Sequence, residues 1–401
     1  MKMKLQNKNL TVRYVLHQMT YWGACAGIVS FASTFLLDRG FPAAQVGVLL
    51  ASGNLLSCAM QPVLASLADR LGGNILKWMT VGLTTLCITC FSVVELLGVP
   101  GPALGLMYLL GVFTFDAMMP LMNATNVYYT DRGYRINYGL GRGLGSLAFA
   151  LAALYIGKIM AAWGNQWMLH ISLALLLSCA LIALGYPAAE GRVGQRRQEQ
   201  GDCCSIAAFF SRYRWYCVSL LGVMLLGMFH AMTENYLIEV VTPLGGDSGS
   251  VGIALFVATF VETFVIVFFD RVRGKISDNW LLKFAGLSFL LKSVLFLMAR
   301  DVSAIYWISL LQATSYTFLS PTQMYYANAK IRSVDMVKGQ AFITASYTLG
   351  CAAGNFAGGQ LLQHFDVRIM LMAGVVMAAA GTAVLFLTVD KNDAEPAQVC
   401  S

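Results

Sequence analysis

Apolar residues run along this chain in blocks of about twenty, separated by short polar or charged links. Twelve such windows can be marked, at roughly 13–36, 45–67, 75–97, 103–128, 137–159, 166–187, 213–238, 249–269, 280–299, 303–327, 339–363 and 368–389. A block of about 20 apolar residues makes a helix that crosses the hydrocarbon of a bilayer. Backbone N–H and C=O groups find no partner in lipid, so spanning structures are helices or closed barrels. Barrel strands would appear as alternating segments of about ten residues, and the chain has none. The pattern therefore predicts an all-α integral membrane protein with twelve transmembrane helices. Its first apolar run is long and contains His17 and Gln18, so it is expected to be a retained helix rather than a cleaved signal.

Composition strengthens this reading. Of 401 residues, 58% are hydrophobic and 12% charged, with a mean hydropathy of +0.65. Soluble domains are about 45–50% apolar and about 25% charged, which excludes an ordinary soluble enzyme and a disordered chain. The net charge of +7 does not point to nucleic acid, because the basic residues sit in the links between apolar runs. Counted over alternate links, 20 Lys and Arg fall on the side of the termini and 4 on the other. That asymmetry orients both termini toward the cytoplasm of a multi-pass protein in the plasma or inner membrane. The ten cysteines form no disulfide framework, and Cys25, Cys58, Cys87, Cys90, Cys179, Cys217 and Cys351 lie inside apolar runs as small hydrophobes. No metal or cofactor motif is present.

The longest polar stretch, 188–212, divides the chain into residues 1–187 and 213–401, six windows each. The halves correspond at an offset of 201: Pro42 with Pro243, Pro120 with Pro321, Gly157 with Gly358, and Asp69-Arg70-x-x-Gly73 with Asp270-Arg271-x-x-Gly274. Locally the register slips, so that Val46-Gly47 corresponds to Val251-Gly252. Two parallel six-helix repeats around an axis normal to the membrane are a common plan for secondary transporters, with the substrate site at mid-membrane between them.

A charge at the centre of a membrane helix costs about 2.5–3.5 kcal/mol on insertion scales and usually faces a cavity or a partner. Asp116, Arg142, Glu234, Glu262 and Lys292 are such charges, joined by His230. Three acids against two bases leave one carboxylate over. Desolvation disfavours the ionised form of a carboxyl and a nearby cation favours it, so a group under both influences can take up and release a proton. Asp116 and Asn123 are two helical turns apart on one face, and His230 and Glu234 one turn apart. The alternative for each is a structural ion pair between helices. Gly139, Gly141, Gly143 and Gly145, with Gly350, Gly354 and Gly358, mark close helix contacts, as static packing or as sliding surfaces. Tyr14, Tyr21, Trp22, Tyr236, Tyr316, Tyr325 and Tyr326 lie within the windows, where rings facing a cavity suit sugars or aromatic acids.

These residues resemble the major facilitator superfamily. Ala65-x-x-x-Asp69-Arg70-x-Gly72-Gly73 is similar to its G-x-x-x-D-R-x-G-R/K loop, with Ala65 and Gly73 as departures and Lys77 as a substitute base. The resemblance implies a gating role for Asp69, Arg70, Asp270 and Arg271. A narrower similarity, along most of the chain, is to the branch of phenylpropionate permeases, lactose permeases and nucleoside–proton symporters. It is carried by Pro120-Leu-Met-Asn123-Ala, by Tyr138-Gly139-x-x-Arg142-x-x-Gly145-Ser146, by Glu262 eight residues before Asp270, and by Lys292 and His230-Ala231. Asn123 stands where that branch has an acid and Gln312 where it tends to have a histidine. Asp116 is available to replace the first.

The expectation is a secondary active transporter, a functional monomer without cofactor, that couples protons to a sugar, nucleoside or aromatic carboxylate. Arg142, Asn123, Asp116, Gln312 and Tyr21 are the expected substrate groups. Glu262, Lys292, His230 and Glu234 are the expected proton-coupling groups, with Lys292 balancing Glu262. Efflux by proton antiport and a non-transporting membrane receptor are the alternatives. No H-E-x-x-H or nucleotide loop supports an enzyme.

Overall fold

The computed structural model describes residues 2–71, 73–187 and 205–391. Its elements are α1 (Lys2–Cys25), a π turn (Ala26–Ser30), α2 (Ala32–Asp38), α3 (Ala43–Leu71), α4 (Gly73–Leu97), α5 (Pro102–Thr130), α6 (Tyr138–Trp163) and α7 (Trp167–Leu184). There follow α8 (Ile206–Arg212), α9 (Arg214–Asn235), α10 (Leu237–Val241), α11 (Ser248–Arg273), α12 (Asp278–Met298), α13 (Val302–Ser309), α14 (Tyr316–Lys330), α15 (Met336–His364) and α16 (Val367–Thr388). No strand occurs among the described residues. The fold is all-α and membrane-embedded.

Each apolar window falls on a helix or a broken helix, but apolarity alone does not reach twelve crossings. Among the described residues nine helices are long and apolar enough to span, and the pair Asn9–Ser30 and Ala32–Asp38, bent by 46°, makes a tenth. The remaining windows fall on α13–α14, interrupted by a tight turn at Leu310–Ala313, and on α15, whose 29 residues include Gln340, Thr344, Thr348, Asn355 and Gln360. Polar residues lower the hydropathy of these helices: Gln312 and Thr348 face a cavity, and Asn355 accepts a hydrogen bond from the Asn235 amide of α9. Within the segment expected to be a central loop, Ser205 caps α8 by accepting a hydrogen bond from the Ala208 N–H. Residues 188–204 lie outside the described residues.

The corresponding prolines occupy corresponding places. Pro120 lies inside α5 and Pro321 inside α14. The first long helix of each half also breaks, α1 at the π turn and α9 at Tyr236. A broken helix leaves carbonyls without an intrahelical partner. The Asn235 carbonyl takes its hydrogen bond from the Ser33 hydroxyl, on α2 of the other half.

Close backbone contacts join the halves at the end of the bundle remote from the termini. A Cβ built on Gly157 of α6 would lie 2.5 Å from the Ser248 carbonyl and 2.8 Å from the Gly252 Cα on α11. One built on Gly359 of α15 would lie 2.5 Å from the Ala43 carbonyl and 2.9 Å from the Gly47 Cα on α3. Only glycine permits this approach. The two crossings are equivalents, since Gly47 corresponds to Gly252 and Gly157 to Gly358 and its neighbour Gly359.

The other glycines act within one half. Gly141 and Gly145 receive the rings of Tyr14 and Trp22 from α1, and Gly350 and Gly354 press on the Met224 and Met228 carbonyls of α9. These contacts tie helices together inside a half rather than forming the surfaces along which the halves meet. Lys283, expected to reach toward the membrane interface, contacts the Asp390 carboxylate, and this bond holds the Asp390 carboxyl below its ordinary range.

Gly252→Val is expected to lower the thermal midpoint of the protein in nanodiscs, because the added carbons meet the Ala153 carbonyl at 2.5 Å. Gly143→Ala, where a Cβ meets nothing within 4 Å, is expected to raise stability by up to about 1 kcal/mol through lower helix entropy loss. Equal melting shifts for the two variants would contradict the crossing.

A charged cavity between the two halves

Four polar positions on α3, Asn54, Ser57, Cys58 and Gln61, have the i, i+3, i+4, i+7 spacing of one helical face. They line a cavity of about 430 Å³. Arg142, Ser146 and Phe149 of α6 and Asp116 of α5 complete its N-terminal wall, with Trp22 and Cys25 from α1. The opposite wall comes from His230 and Glu234 of α9, Thr259 and Glu262 of α11, Tyr347 and Cys351 of α15, and Gln312 with Tyr316 at the α13–α14 break. Along α3, α6, α11 and α15 these residues lie on the terminus side of the glycine crossings, which close the far end. The volume is in the range of small-molecule sites, about 300–1,000 Å³.

The charged groups are held differently. Lys292, 1% exposed, donates to Glu234 Oε1 at 3.0 Å and to Gln312 Oε1 at 2.8 Å. Glu234, not Glu262, is thus its direct ion-pair partner, because α9 and the α13–α14 turn bring those two oxygens to the ammonium. Asp116 Oδ2 accepts a hydrogen bond from Ser57 at 3.1 Å. The Arg142 guanidinium lies 4.0 Å over the Trp22 ring, and its Nη1 is buried without a hydrogen-bond partner. Among the described residues neither Arg142 nor Glu262 makes an ion pair. His230 stacks on Tyr316 at 5.2 Å with 7° between planes, and its Nδ1 is likewise unpartnered. Tyr347 closes this aromatic corner at 5.6 Å from Tyr316.

Of the expected substrate groups, Arg142, Asp116 and Gln312 reach the cavity. Asn123 does not line it. Seven residues carry it about 10 Å along α5 from Asp116, past the cavity despite the shared face. Tyr21 is absent from the lining too, being 3% exposed and stacked on Phe115 at 4.6 Å. Its neighbour Trp22 takes the cavity position. Of the expected proton-coupling groups, Glu262, His230 and Glu234 line the cavity and Lys292 stands behind Glu234. The side chains of Asp69, Arg70 and Asp270 lie outside the described residues. Arg271 is exposed, its guanidinium 5.3 Å over the Phe268 ring. Among the described residues no three His, Cys, Asp or Glu side chains converge to hold a metal ion.

The model of the MFS_1 like family matches residues 11–373. The chain belongs to that family, within the major facilitator superfamily. Solved structures with the same fold include a mutant of the nucleoside transporter NupG, with 15% identity, a TM-score of 0.80, and coverage of 97% of this chain and 100% of that one. A bacterial homologue of the human lysosomal transporter Spinster, inward-facing and unoccupied, has 12% identity and a TM-score of 0.68, covering 96% and 97%. A bacterial homologue of the iron transporter ferroportin, in an inward-facing state, has 11% identity and a TM-score of 0.70, covering 96% and 99%. No curated protein matches the chain. As a major facilitator protein it is a membrane transporter, not an enzyme.

Lys292→Met is expected to destabilise this transporter by about 3–5 kcal/mol, because it strands the Glu234 carboxylate in a desolvated site. Lys292→Met combined with Glu234→Leu is expected to recover most of the loss. Thermal melting in nanodiscs checks both, and a single variant as stable as the parent would refute the pairing.

Proposed function

We propose that this protein is a proton-coupled symporter of a small polar organic solute, working by alternating access. The observation that carries the reading is a pair of charges without an ion-pair partner among the described residues, Arg142 and Glu262, on opposite walls of one cavity between the two halves. Structural ion pairs would neutralise each other. Charges left facing a chamber are there for a solute or a proton.

In this reading residues 1–187 and 213–401 are two bundles that rock about the glycine crossings, both termini are cytoplasmic, and the protein acts as a monomer in the cell membrane. The cavity is then in its inward-facing state, with the outer end closed where Gly47 meets Gly359 and Gly157 meets Gly252. Glu262 takes the coupled proton, since Glu234 is already committed to Lys292. Arg142, Asp116 and Gln312 hold the solute through acceptors and hydroxyls, and Tyr316, His230 and Tyr347 offer it aromatic faces. Asp69, Arg70, Asp270 and Arg271 set the balance between inward and outward states. Among sugars, aromatic carboxylates and nucleosides, the similarity to a nucleoside transporter favours the last, and the aromatic corner suits a planar base.

Proteoliposomes with an imposed pH gradient test the proposal with uridine, lactose and 3-phenylpropionate as probes. Uridine is expected to accumulate and to be lost on adding a protonophore. Glu262→Gln is expected to reduce uphill uptake to the level of empty liposomes while retaining counterflow exchange. Full gradient-driven accumulation by Glu262→Gln would refute its coupling role. Accumulation driven only by an outward-directed cycle would favour antiport efflux.

A further inference from the structure

Arg142 poses a physical problem. Its guanidinium shares a cavity with Asp116 and Glu262, and attraction between opposite charges near a protein interior is several times stronger than in bulk water. Yet neither carboxylate has captured it.

What holds it is visible on α1. Tyr14, Gln18 and Trp22 recur every four residues and so form one stripe down the helix. The Trp22 indole N–H donates to Gln18 Oε1 at 3.0 Å, and the Gln18 amide donates to the Tyr14 hydroxyl at 2.8 Å. Tyr14 is 0% and Gln18 3% exposed, so this is an internal chain of hydrogen bonds rather than a solvated face. It fixes the rotation of the indole, whose N–H needs a partner when buried. Opposite the stripe, α6 has glycines at the same interval. A Cβ on Gly141 would meet Tyr14 Cδ1 at 2.7 Å, and one on Gly145 would meet Trp22 Cδ1 at 2.7 Å. The rings therefore press against the α6 backbone, Tyr14 by its Cδ1–Cε1 edge and Trp22 by Cδ1. Between those two glycines α6 carries Arg142, and its guanidinium settles 4.0 Å over the Trp22 face. Guanidinium is weakly hydrated and stacks well on aromatic rings, with Trp the best of them.

We propose that Tyr14, Gln18 and Trp22 form a positioning relay that keeps the Arg142 guanidinium off the cavity carboxylates, so that its unpartnered Nη1 stays available for an acceptor on the transported solute. Trp22 is the platform, Gln18 the clamp that sets its angle, and Gly145 the recess that admits it. The relay deepens the reading of Arg142 as a solute-binding group and rests on that reading for its functional consequence. It gives the cavity selectivity for solutes with a hydrogen-bond acceptor at that wall, because a solute without one leaves Nη1 desolvated and unpaired.

Two arms test it on the full-length protein in proteoliposomes and nanodiscs. In uridine counterflow, Gln18→Met is expected to raise KM about threefold and Trp22→Leu about tenfold, in line with the range of buried cation–π contacts. Trp22→Phe, which keeps a ring face, is expected to fall between the parent and Trp22→Leu, and the maximal rate is expected to change far less than KM. In an Arg142→Gln background both substitutions are expected to lose their effect on KM, since they act through that side chain. Equal KM shifts with and without Arg142 would overturn the relay. In the second arm, a structure of Trp22→Leu is expected to have the guanidinium moved onto Asp116 or Glu262. An unmoved Arg142 would overturn the proposal even if uridine is not the solute. Should Arg142→Gln leave uridine KM unchanged, the assignment of Arg142 to the solute fails, and the structure of Trp22→Leu alone decides the positioning claim.

Discussion

Five ionisable side chains lie within helices whose other faces are apolar, and hydrocarbon does not tolerate them there. That constraint organises the bundle. Asp116, Arg142, Glu234 and Glu262 turn inward to a common chamber, and Lys292 is sealed behind Glu234 and Gln312. Leu86, Leu151, Leu181, Phe264 and Val376 meanwhile remain exposed on the outside. A soluble protein does the reverse. The chamber's two walls come from the two halves of the bundle, which pack on each other through α3 with α15 and α6 with α11.

The meeting points follow from the same economy. Where halves touch at the far end, the contact is backbone on backbone at Gly157–Gly252 and Gly47–Gly359. These crossings are the closest points of two extensive helix pairings, α3 with α15 and α6 with α11. Equally close contacts occur within a half: the Tyr14 and Trp22 rings set into α6, and α15 pressed on the carbonyls of α9. Polar links also cross the far end: Ser33 donates to the Asn235 carbonyl, freed as an acceptor where the helix breaks at Tyr236, and Ser248 donates to Asn165 Oδ1 at 3.0 Å.

Much of this was legible in the residues. Apolar blocks located the helices, the 201-residue offset matched the prolines and, within a slip of a few residues, the crossing glycines, and the cost of intramembrane charge singled out Asp116, Arg142, Glu234 and Glu262, all of which line the cavity. Other features were less accessible. Helical periodicity gives direction around an axis but not depth along it, so Asn123 shares a face with Asp116 and still misses the chamber. Adjacent aromatics cannot be ranked by type, so Tyr21 was expected where Trp22 sits. Pairing is three-dimensional, and Lys292 found Glu234 rather than Glu262. Asn54, Ser57 and Gln61 were overlooked although their spacing inside an apolar run is itself a sign of a polar face.

The most direct measurement of the central claim is side-specific labelling of Cys58, a cavity residue on α3, in a variant with the other cysteines replaced. A membrane-impermeant thiol reagent is applied to oriented vesicles from one face at a time. A water-filled chamber closed at the glycine crossings predicts rapid labelling from the face bearing the termini and slow labelling from the other. Protection of Cys58 from both faces, with labelling only by a lipid-soluble reagent, would mean that α3 turns its polar face elsewhere and that no shared aqueous chamber exists.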